Sequence, residues 1–170
     1  MYWFFIPLPK DDTRALITCI PNKGKTMIAK ANKIFIGLTD HQDGGKLLLR
    51  LTVGILLLFH GVAKIENGVG WISGMLAQHG LPGFIAYGAY IGEVLAPVLI
   101  ILGVLTRISA AVVAFNLLIA TLLVTLGKLF TITNVGAWGL EGEAFYFLCS
   151  LVIVLLGSGR YSVVSNEDYR

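Results

Sequence analysis

Four long apolar stretches alternate with shorter polar segments over the last three quarters of the chain. They cover residues 47–65, 83–105, 108–127 and 139–157. A helix as long as the first stretch spans about 28 Å, which is close to the thickness of the hydrocarbon core of a bilayer. Backbone groups in lipid have to be bonded within their own segment, and no stretch alternates as a barrel strand does. The pattern predicts an all-α membrane protein, a bundle of four transmembrane helices.

Composition supports this class. Hydrophobic residues make up 56% of the 170 residues, charged residues 14%, and the mean hydropathy is +0.79. These values are far too apolar for a soluble domain of this length, and the length allows one domain. Seven of the thirteen basic residues precede Leu47, so the net charge of +3 belongs mainly to a tail and does not indicate a nucleic-acid surface.

Basic residues also predict the orientation of the helices. We expect residues 1–46 to form a basic cytoplasmic tail that is solvated or lies at the membrane interface. Pro21 and Gly24 are expected to break any helix in this tail. We place residues 163–170 in a second cytoplasmic tail. Because cytoplasmic loops are enriched in Lys and Arg, the distribution predicts N-in and C-in termini in a bacterial inner membrane.

Two further features concern the segments outside the spans. The opening run of ten residues lacks a basic n-region, so we do not expect a cleaved signal peptide, and Met27 offers an alternative start. In the first outer loop, Trp71, Ile72, Met75 and Leu76 recur at helical spacing. That spacing predicts a short amphipathic helix at the outer interface.

The first predicted helix has one polar face. At about 100° per residue, Lys64 lies about 40° from Arg50 and His60 about 80° from it on the same side. Gly54 and Gly61 share this face. Ionisable groups inside a membrane helix are costly and usually turn toward other helices, so we expect this face to contact neighbours.

The second predicted helix pairs a ridge of small residues with a carboxylate. Gly88, Gly92 and Ala96 are spaced to let another helix approach closely. Glu93 lies beside this ridge, near the expected middle of the membrane, and Pro97 removes the N–H that would bond the Glu93 carbonyl. Two roles stay open for Glu93, a structural ion pair or a protonatable carboxylate that contacts a ligand.

The third and fourth helices complete a candidate polar pocket in the outer half of the membrane. Asn116 is the strong polar group of the third helix and either joins helices or contacts a ligand. Glu143 begins the fourth helix, deep enough to reach the first. The predicted pocket residues are His60, Lys64, Glu93, Asn116 and Glu143. Arg50 and Arg107 are placed on the cytoplasmic side instead.

Few residues suit a metal or a metal cofactor. Cys19 lies in the tail and Cys149 in a predicted membrane helix, so neither a disulfide framework nor a zinc site is expected. A bis-histidine haem needs two facing intramembrane histidines, and only His60 qualifies, since His41 and His79 fall in loops. We therefore expect no metal site and no haem, and a quinone is one candidate ligand.

Several short motifs occur in an order that resembles the DoxX family. They are RL...G....FHG..K in the first helix, E.....L...GVLTR..A across the second and third, the helix-three Asn, and G.E followed by a GxGxxS ending at Gly157, Gly159 and Ser162. The resemblance covers about residues 47–162 and implies a four-helix bacterial inner-membrane protein. Some relatives are named for a subunit of a thiosulfate:quinone oxidoreductase, and others are linked to oxidative-stress complexes. The acidic residue usual after the final serine is missing here.

Two classes of function remain open at this point. One is an accessory membrane subunit of a quinone-linked oxidoreductase or oxidative-stress complex, which would make a soluble or peripheral oxidoreductase its partner. The other is a non-enzymatic membrane protein, a small-solute carrier or an assembly factor. Either could form a homo-oligomer in the lipid bilayer.

Overall fold

A computed structural model describes residues 22–166 and residue 169, and within these it is helical. The described residues divide into two units, one up to His41 and one from Gln42 onward, and each is described by itself. The helices are α1 (Asn22–Thr39), α2 (Gln42–Asn67), α3 (Gly70–Gln78), α4 (Gly83–Leu102), α5 (Thr106–Lys128) and α6 (Glu141–Leu156).

Helix α1 corrects the expectation that Pro21 and Gly24 would interrupt any helix in the tail. It begins at Asn22, directly after the proline, and runs through the glycine for 18 residues. A proline ahead of the first turn removes no helical hydrogen bond, and one internal glycine costs only about 1 kcal/mol. The predictions for residues 1–21, including the absence of a signal peptide, lie outside the described residues.

Within the described part of the chain, three helices are long and apolar enough to cross a membrane: α2 with 26 residues, α4 with 20 and α5 with 23. They correspond to the first three predicted spans, so the prediction of a helical membrane protein is confirmed at this level. Helix α2 starts five residues earlier than expected, at Gln42. Asp43 lies in its first turn, where a carboxylate complements the positive end of the helix dipole.

Helix α6 corresponds to the fourth apolar stretch but is shorter than the others. It has 16 residues, or about 24 Å, and packs mainly along α5 with a second contact to α2. It ends at Gly157, whose φ of 72° and ψ of −166° suit glycine and stop the helix. Helices α2 and α4 also pack against each other, as do α4 and α5.

The buried core lies where these four helices meet. Its fully buried side chains are Val53, Leu57, Ala96, Ile100, Ala110, Val113 and Ile153. All four helices contribute branched side chains to this core, and α4 and α5 each add an alanine, Ala96 and Ala110. A second, smaller cluster packs α3 against α4 through Val69, Leu76 and Ala86.

Helix α4 is irregular at the level of Glu93. Its residues Gly83–Tyr87 form a 3₁₀ turn, and Ile91–Leu95 form a π-helical turn just before Pro97. Proline cannot donate a backbone N–H, and a widened turn ahead of it accommodates the missing bond. The sequence expectation of a disturbed helix at this proline is therefore met by a π turn that contains Glu93.

The segment after α6 folds back onto the turn between α4 and α5. The Ser162 hydroxyl donates to the Gly103 carbonyl at 2.8 Å, and the Val163 N–H donates to the Leu102 carbonyl at 3.0 Å. Gly159 makes this return possible with a φ of 69°. The glycine and serine of the GxGxxS ending thus tie the end of the chain to α4.

Candidate functional site

Side chains from two other helices contact the Glu93 carboxylate of α4. The Lys64 ammonium of α2 donates to Glu93 Oε2 in an ion pair, and Asn116 Nδ2 of α5 donates to Oε1 at 3.3 Å. Glu93 is 8% exposed. A carboxylate this deeply buried needs such partners, because an unpaired buried charge is strongly destabilising. We call Lys64, Glu93 and Asn116 the polar triad.

Glycines bring the triad together. A Cβ atom at Gly61 would overlap the backbone carbonyl oxygen of Glu93, and one at Gly92 would lie 2.5 Å from Asn116 Cβ. Only a residue without a side chain fits at either position. The Glu93 carbonyl, which lies within the π turn, is consequently directly against the α2 backbone, and Asn116 lies directly against the α4 backbone.

Tyr90 adds a contact that the sequence interpretation missed. Its hydroxyl donates to the Lys64 carbonyl at 3.0 Å and so joins the last turns of α2 to α4. The only sequence signal was its place one helical turn before Glu93. This bond fixes the backbone from which the lysine side chain reaches the carboxylate.

A cavity of about 320 Å³ lies beside the triad, between α3, α4 and α5. Its charged and amide side chains are those of the triad, and the other lining residues are almost all apolar. Trp71 of α3 and Phe115 of α5 line it and remain exposed. The lining further includes Ile72, Met75, Leu76, Ile85, Ala86, Gly88, Ala89, Ile91, Gly92, Val112, Ile119, Ala120, Leu123 and Val124. An apolar cavity with polar groups at one wall is typical of small-molecule sites.

His60 and Glu143 do not join this group. The His60 ring contacts Tyr146 of α6 edge-on, with centroids 6.2 Å apart and an interplanar angle of 86°. Among the described residues, neither His60 nor Glu143 forms a hydrogen bond or ion pair with the triad. The reason is the rotation of α2: Gly61 faces α4, and His60 lies about 100° round the helix from it, toward α6.

Arg50 is enclosed at the opposite end of α2. It is 1% exposed, and its guanidinium donates to the carbonyls of Ile100 at 2.9 Å, Ile101 at 3.0 Å, Tyr161 at 2.8 Å and Ser158. These carbonyls belong to the last turn of α4 and the segment after α6. Carbonyls at a helix C-terminus lack helical partners and carry partial negative charge, so a cation satisfies them well.

Arg107 makes the corresponding contact on α6, near the surface. Its Nη1 donates to the carbonyls of Val154 at 2.7 Å and Leu155 at 3.1 Å. Unlike Arg50, it is exposed. Both arginines therefore cap C-terminal helix ends at the same end of the packed helices, although sequence reasoning assigned them only to a side of the membrane.

The predicted packing residues differ in their surroundings. A Cβ on Gly54 would lie 3.1 Å from the Pro97 carbonyl oxygen, so Gly54 joins Gly61 and Gly92 in close helix contacts. Ala96 is buried in the core. At Gly88, in contrast, a Cβ would meet open space, because this glycine lines the cavity and packs against no helix there.

The triad can do two kinds of chemistry. Lys64 uses one of its three N–H donors on Glu93 and Asn116 presents an amide, so a ligand carbonyl in the cavity could accept hydrogen bonds from either. Glu93 can accept or supply a proton at the cavity wall. Among residues 22–166 and 169, no group of three or more His, Cys, Asp or Glu side chains could hold a metal ion.

Comparison with known proteins agrees with the resemblance found in the sequence. The family model described as DoxX matches residues 45–126. A protein of Bacillus subtilis (strain 168) named "Putative oxidoreductase CatD" is 32% identical over 114 residues, which cover 67% of this chain and 80% of that protein. No solved structure matches. With its apolar membrane-length helices, the chain is a membrane protein that belongs to the DoxX family.

Proposed function

We propose that this protein is the accessory membrane subunit of a quinone-linked redox complex and that a quinone ring binds in the cavity beside Glu93. The observation that carries the proposal is the cavity itself, about 320 Å³ and apolar except for the triad at one wall. The relative named as an oxidoreductase supports a redox role.

The chemistry of the lining fits a quinone. A quinone has a flat apolar ring with two carbonyl oxygens, and when bound it supplies an acceptor for two electrons and two protons. Lys64 and Asn116 can donate hydrogen bonds to a ring carbonyl, and Glu93 can exchange a proton with the hydroxyl of the reduced form. The apolar walls from α3 and α5 exclude water from the ring. Trp71, exposed at the cavity, offers a surface for an isoprenoid tail.

The proposal includes the membrane arrangement. Helices α2, α4, α5 and α6 would form a four-helix bundle in the bacterial inner membrane, with both termini in the cytoplasm. The basic residues of the tail, Arg107 and Arg160 support this orientation. The triad would then lie in the outer half of the membrane and the enclosed Arg50 near the cytoplasmic side.

Reporter fusions test this orientation. A phosphatase fused after Leu81 should be active, because the α3–α4 connection would lie outside, and a phosphatase fused after Arg107 should be inactive. Activity measured in whole cells gives the result, with the expression level of each fusion as the control. The reverse pattern would overturn the orientation and place the triad on the cytoplasmic side.

Quinone binding tests the function directly. The full chain, reconstituted in lipid nanodiscs, is titrated with the reduced, ubiquinol form of a short-chain ubiquinone analogue while its tryptophan fluorescence is recorded. Glu93→Gln should weaken binding about tenfold, which corresponds to about 1.4 kcal/mol, because the ubiquinol hydroxyl loses its charge-assisted hydrogen bond to the carboxylate. Glu141→Gln, a carboxylate change away from the cavity, should leave binding unchanged. Equal affinity in all three proteins would contradict the proposal.

The partner is a soluble or peripheral oxidoreductase, with a second copy of the chain as a further candidate. Purification from a native membrane after mild cross-linking should recover an oxidoreductase with the wild-type protein. Recovery of a flavin, iron–sulfur or thiol enzyme would support the accessory role. Recovery of the chain with itself alone would contradict it.

A second function is favoured by one feature of the same site. Both oxygens of Glu93 already have partners, Lys64 and Asn116, so the triad is complete without a ligand. This arrangement suits a non-enzymatic membrane protein, a small-solute carrier or an assembly factor, in which the triad only joins three helices. Weakened quinone binding by Glu93→Gln protein that is still folded would exclude this purely structural role.

A further inference from the structure

Helix α1 has an apolar face that is exposed along its whole described length. Met27, Ile28, Ile34, Phe35 and Leu38 are between 64% and 74% exposed. At about 100° per residue these five fall within an arc of roughly 120°, the width of the apolar stripe of an amphipathic helix. Exposed apolar faces of this size usually bind something.

The charge of α1 indicates what that partner is. Its sequence, NKGKTMIAKANKIFIGLT, contains four lysines and no acidic residue. Lys30 and Lys33 lie about 40° and 100° beyond one edge of the apolar arc. From this side of the helix, a long lysine side chain can extend its charged end away from the apolar face while its aliphatic stem covers apolar surface. An apolar face flanked only by positive charge complements a surface that is apolar inside and anionic outside, as a phospholipid leaflet is.

Chain length keeps α1 beside a membrane. Only Asp40 and His41 separate it from α2, which is long and apolar enough to span a bilayer. Two residues extend at most about 7 Å, so the end of α1 stays near the surface that α2 enters, for any angle between the two helices. The helix also lies outside residues 45–126, the part that matches the DoxX family model.

We infer that α1 is an interfacial helix that binds the anionic phospholipid leaflet next to the start of α2. The apolar arc enters the boundary between headgroups and acyl chains, and the lysines contact lipid phosphates. A soluble partner protein is the competing occupant of this face. It is distinguished by the test, because in nanodiscs that lack such a protein α1 would then stay in water whatever the lipid charge.

Two positions on opposite sides of α1 make a matched pair for this test. Met27 lies within the apolar face, and Ile36 lies about 180° from it on the polar side. Each is changed to Cys in the full chain, with Cys19→Ser and Cys149→Ala to remove the native thiols, and is spin-labelled. The proteins are reconstituted in nanodiscs of phosphatidylcholine with phosphatidylglycerol and, in parallel, of phosphatidylcholine alone.

The expected result is a difference in accessibility that depends on lipid charge. In the anionic discs, the label at position 27 should collide mainly with oxygen, which concentrates in lipid, and the label at position 36 mainly with a water-soluble nickel chelate. The difference should shrink in discs of phosphatidylcholine alone. Lys30→Gln with Lys33→Gln should reduce the lipid-bound fraction, because each lysine near an anionic surface strengthens binding about fivefold.

Two results would overturn the inference. Equal nickel accessibility at both positions in anionic discs would mean that α1 stays in water. Oxygen accessibility at position 27 that is the same in both lipids and unchanged by the lysine substitutions would mean that charge plays no part. Neither readout depends on quinone binding, so the outcome is independent of the proposed function.

Discussion

Two ionisable residues of the same helix, Arg50 and Lys64, meet α4 in opposite ways. Arg50 is enclosed and bonds to four backbone carbonyls, whereas Lys64 pairs with one carboxylate at the wall of a cavity. They are fourteen residues, or about 21 Å, apart along α2. One helix therefore carries a closed polar cluster near one end and an open one near the other.

The difference shows how a buried cation can be accommodated with or without room for a ligand. Around Arg50, carbonyl oxygens from two parts of the chain surround the guanidinium. No space is left beside it, because even a Cβ atom on Gly103 would lie 2.8 Å from Nη2. Around Lys64, two N–H donors are left over beside empty apolar space. A closed cluster contributes stability, and an open cluster can in addition bind a small molecule.

The largest expected effect is on the closed cluster. Arg50→Met should lower the free energy of unfolding by about 4 kcal/mol, because it removes all the guanidinium bonds and leaves buried carbonyls without partners. Unfolding by SDS in mixed micelles measures this value. Arg107→Met removes two bonds from an exposed residue and should cost about 1 kcal/mol or less. Equal losses would mean that enclosure of Arg50 contributes nothing.

The second effect concerns the open cluster. Glu93→Gln should lower the free energy of unfolding by about 3 kcal/mol, because Lys64 is left as a partly buried charge without its counterion. Adding Lys64→Met should recover part of this stability and should not restore quinone binding. The two readouts, unfolding and quinone titration, are made on the same reconstituted proteins. Recovery of both the stability and the quinone binding in the double variant would mean that Glu93 acts only through the ion pair.

The third effect compares two glycines on the faces that carry these clusters. Gly61→Ala should cost about 2 kcal/mol, because the new methyl group overlaps the Glu93 carbonyl and pushes α2 away from α4. Gly88→Ala enters open space and should leave unfolding nearly unchanged. The same SDS titration compares them. A loss at Gly88 equal to that at Gly61 would place a helix contact where the structure has the cavity.

The smallest expected effect tests whether His60 belongs to the open cluster. His60→Gln should lower the free energy of unfolding by about 0.5–1 kcal/mol through the lost edge contact with Tyr146. It should leave quinone affinity unchanged, since His60 is turned toward α6. A fall in affinity comparable to that of Glu93→Gln would return His60 to the binding site.

Sequence patterns predicted the three described membrane-length helices and the meeting of Lys64, Glu93 and Asn116 because both depend on regular geometry. Apolar runs fix where helices cross a bilayer. Residues of antiparallel helices that lie equally far from the membrane surface then come to the same level of the bundle. The pattern did not exclude His60, since a helical wheel defines angles within one helix and not the rotation of that helix against its neighbours. Close contacts at Gly61 and Gly92 set this rotation, and they depend on the shapes of all the packed helices.

The partners of Arg50 could not be read from the sequence for a different reason. Every residue carries a backbone carbonyl, so carbonyl ligands leave no residue-type signal, and a search for an acidic partner finds none. Helix α1 was missed because Pro21 and Gly24 were given the weight of helix breakers, although a proline just before a helix is compatible with it. The cavity depends on how α3 packs over α4, which no local pattern encodes.

The Arg50 cluster has a consequence for the order in which the protein is made. Arg50 lies in α2, but its acceptors are 50 to 111 residues later in the chain, and the last of them follow α6. During synthesis the guanidinium therefore enters the membrane well before its partners exist. Only a chain translated past Tyr161 can enclose this charge, so an incomplete product keeps a cation without its acceptors in a membrane-length helix, where an unpaired charge is costly.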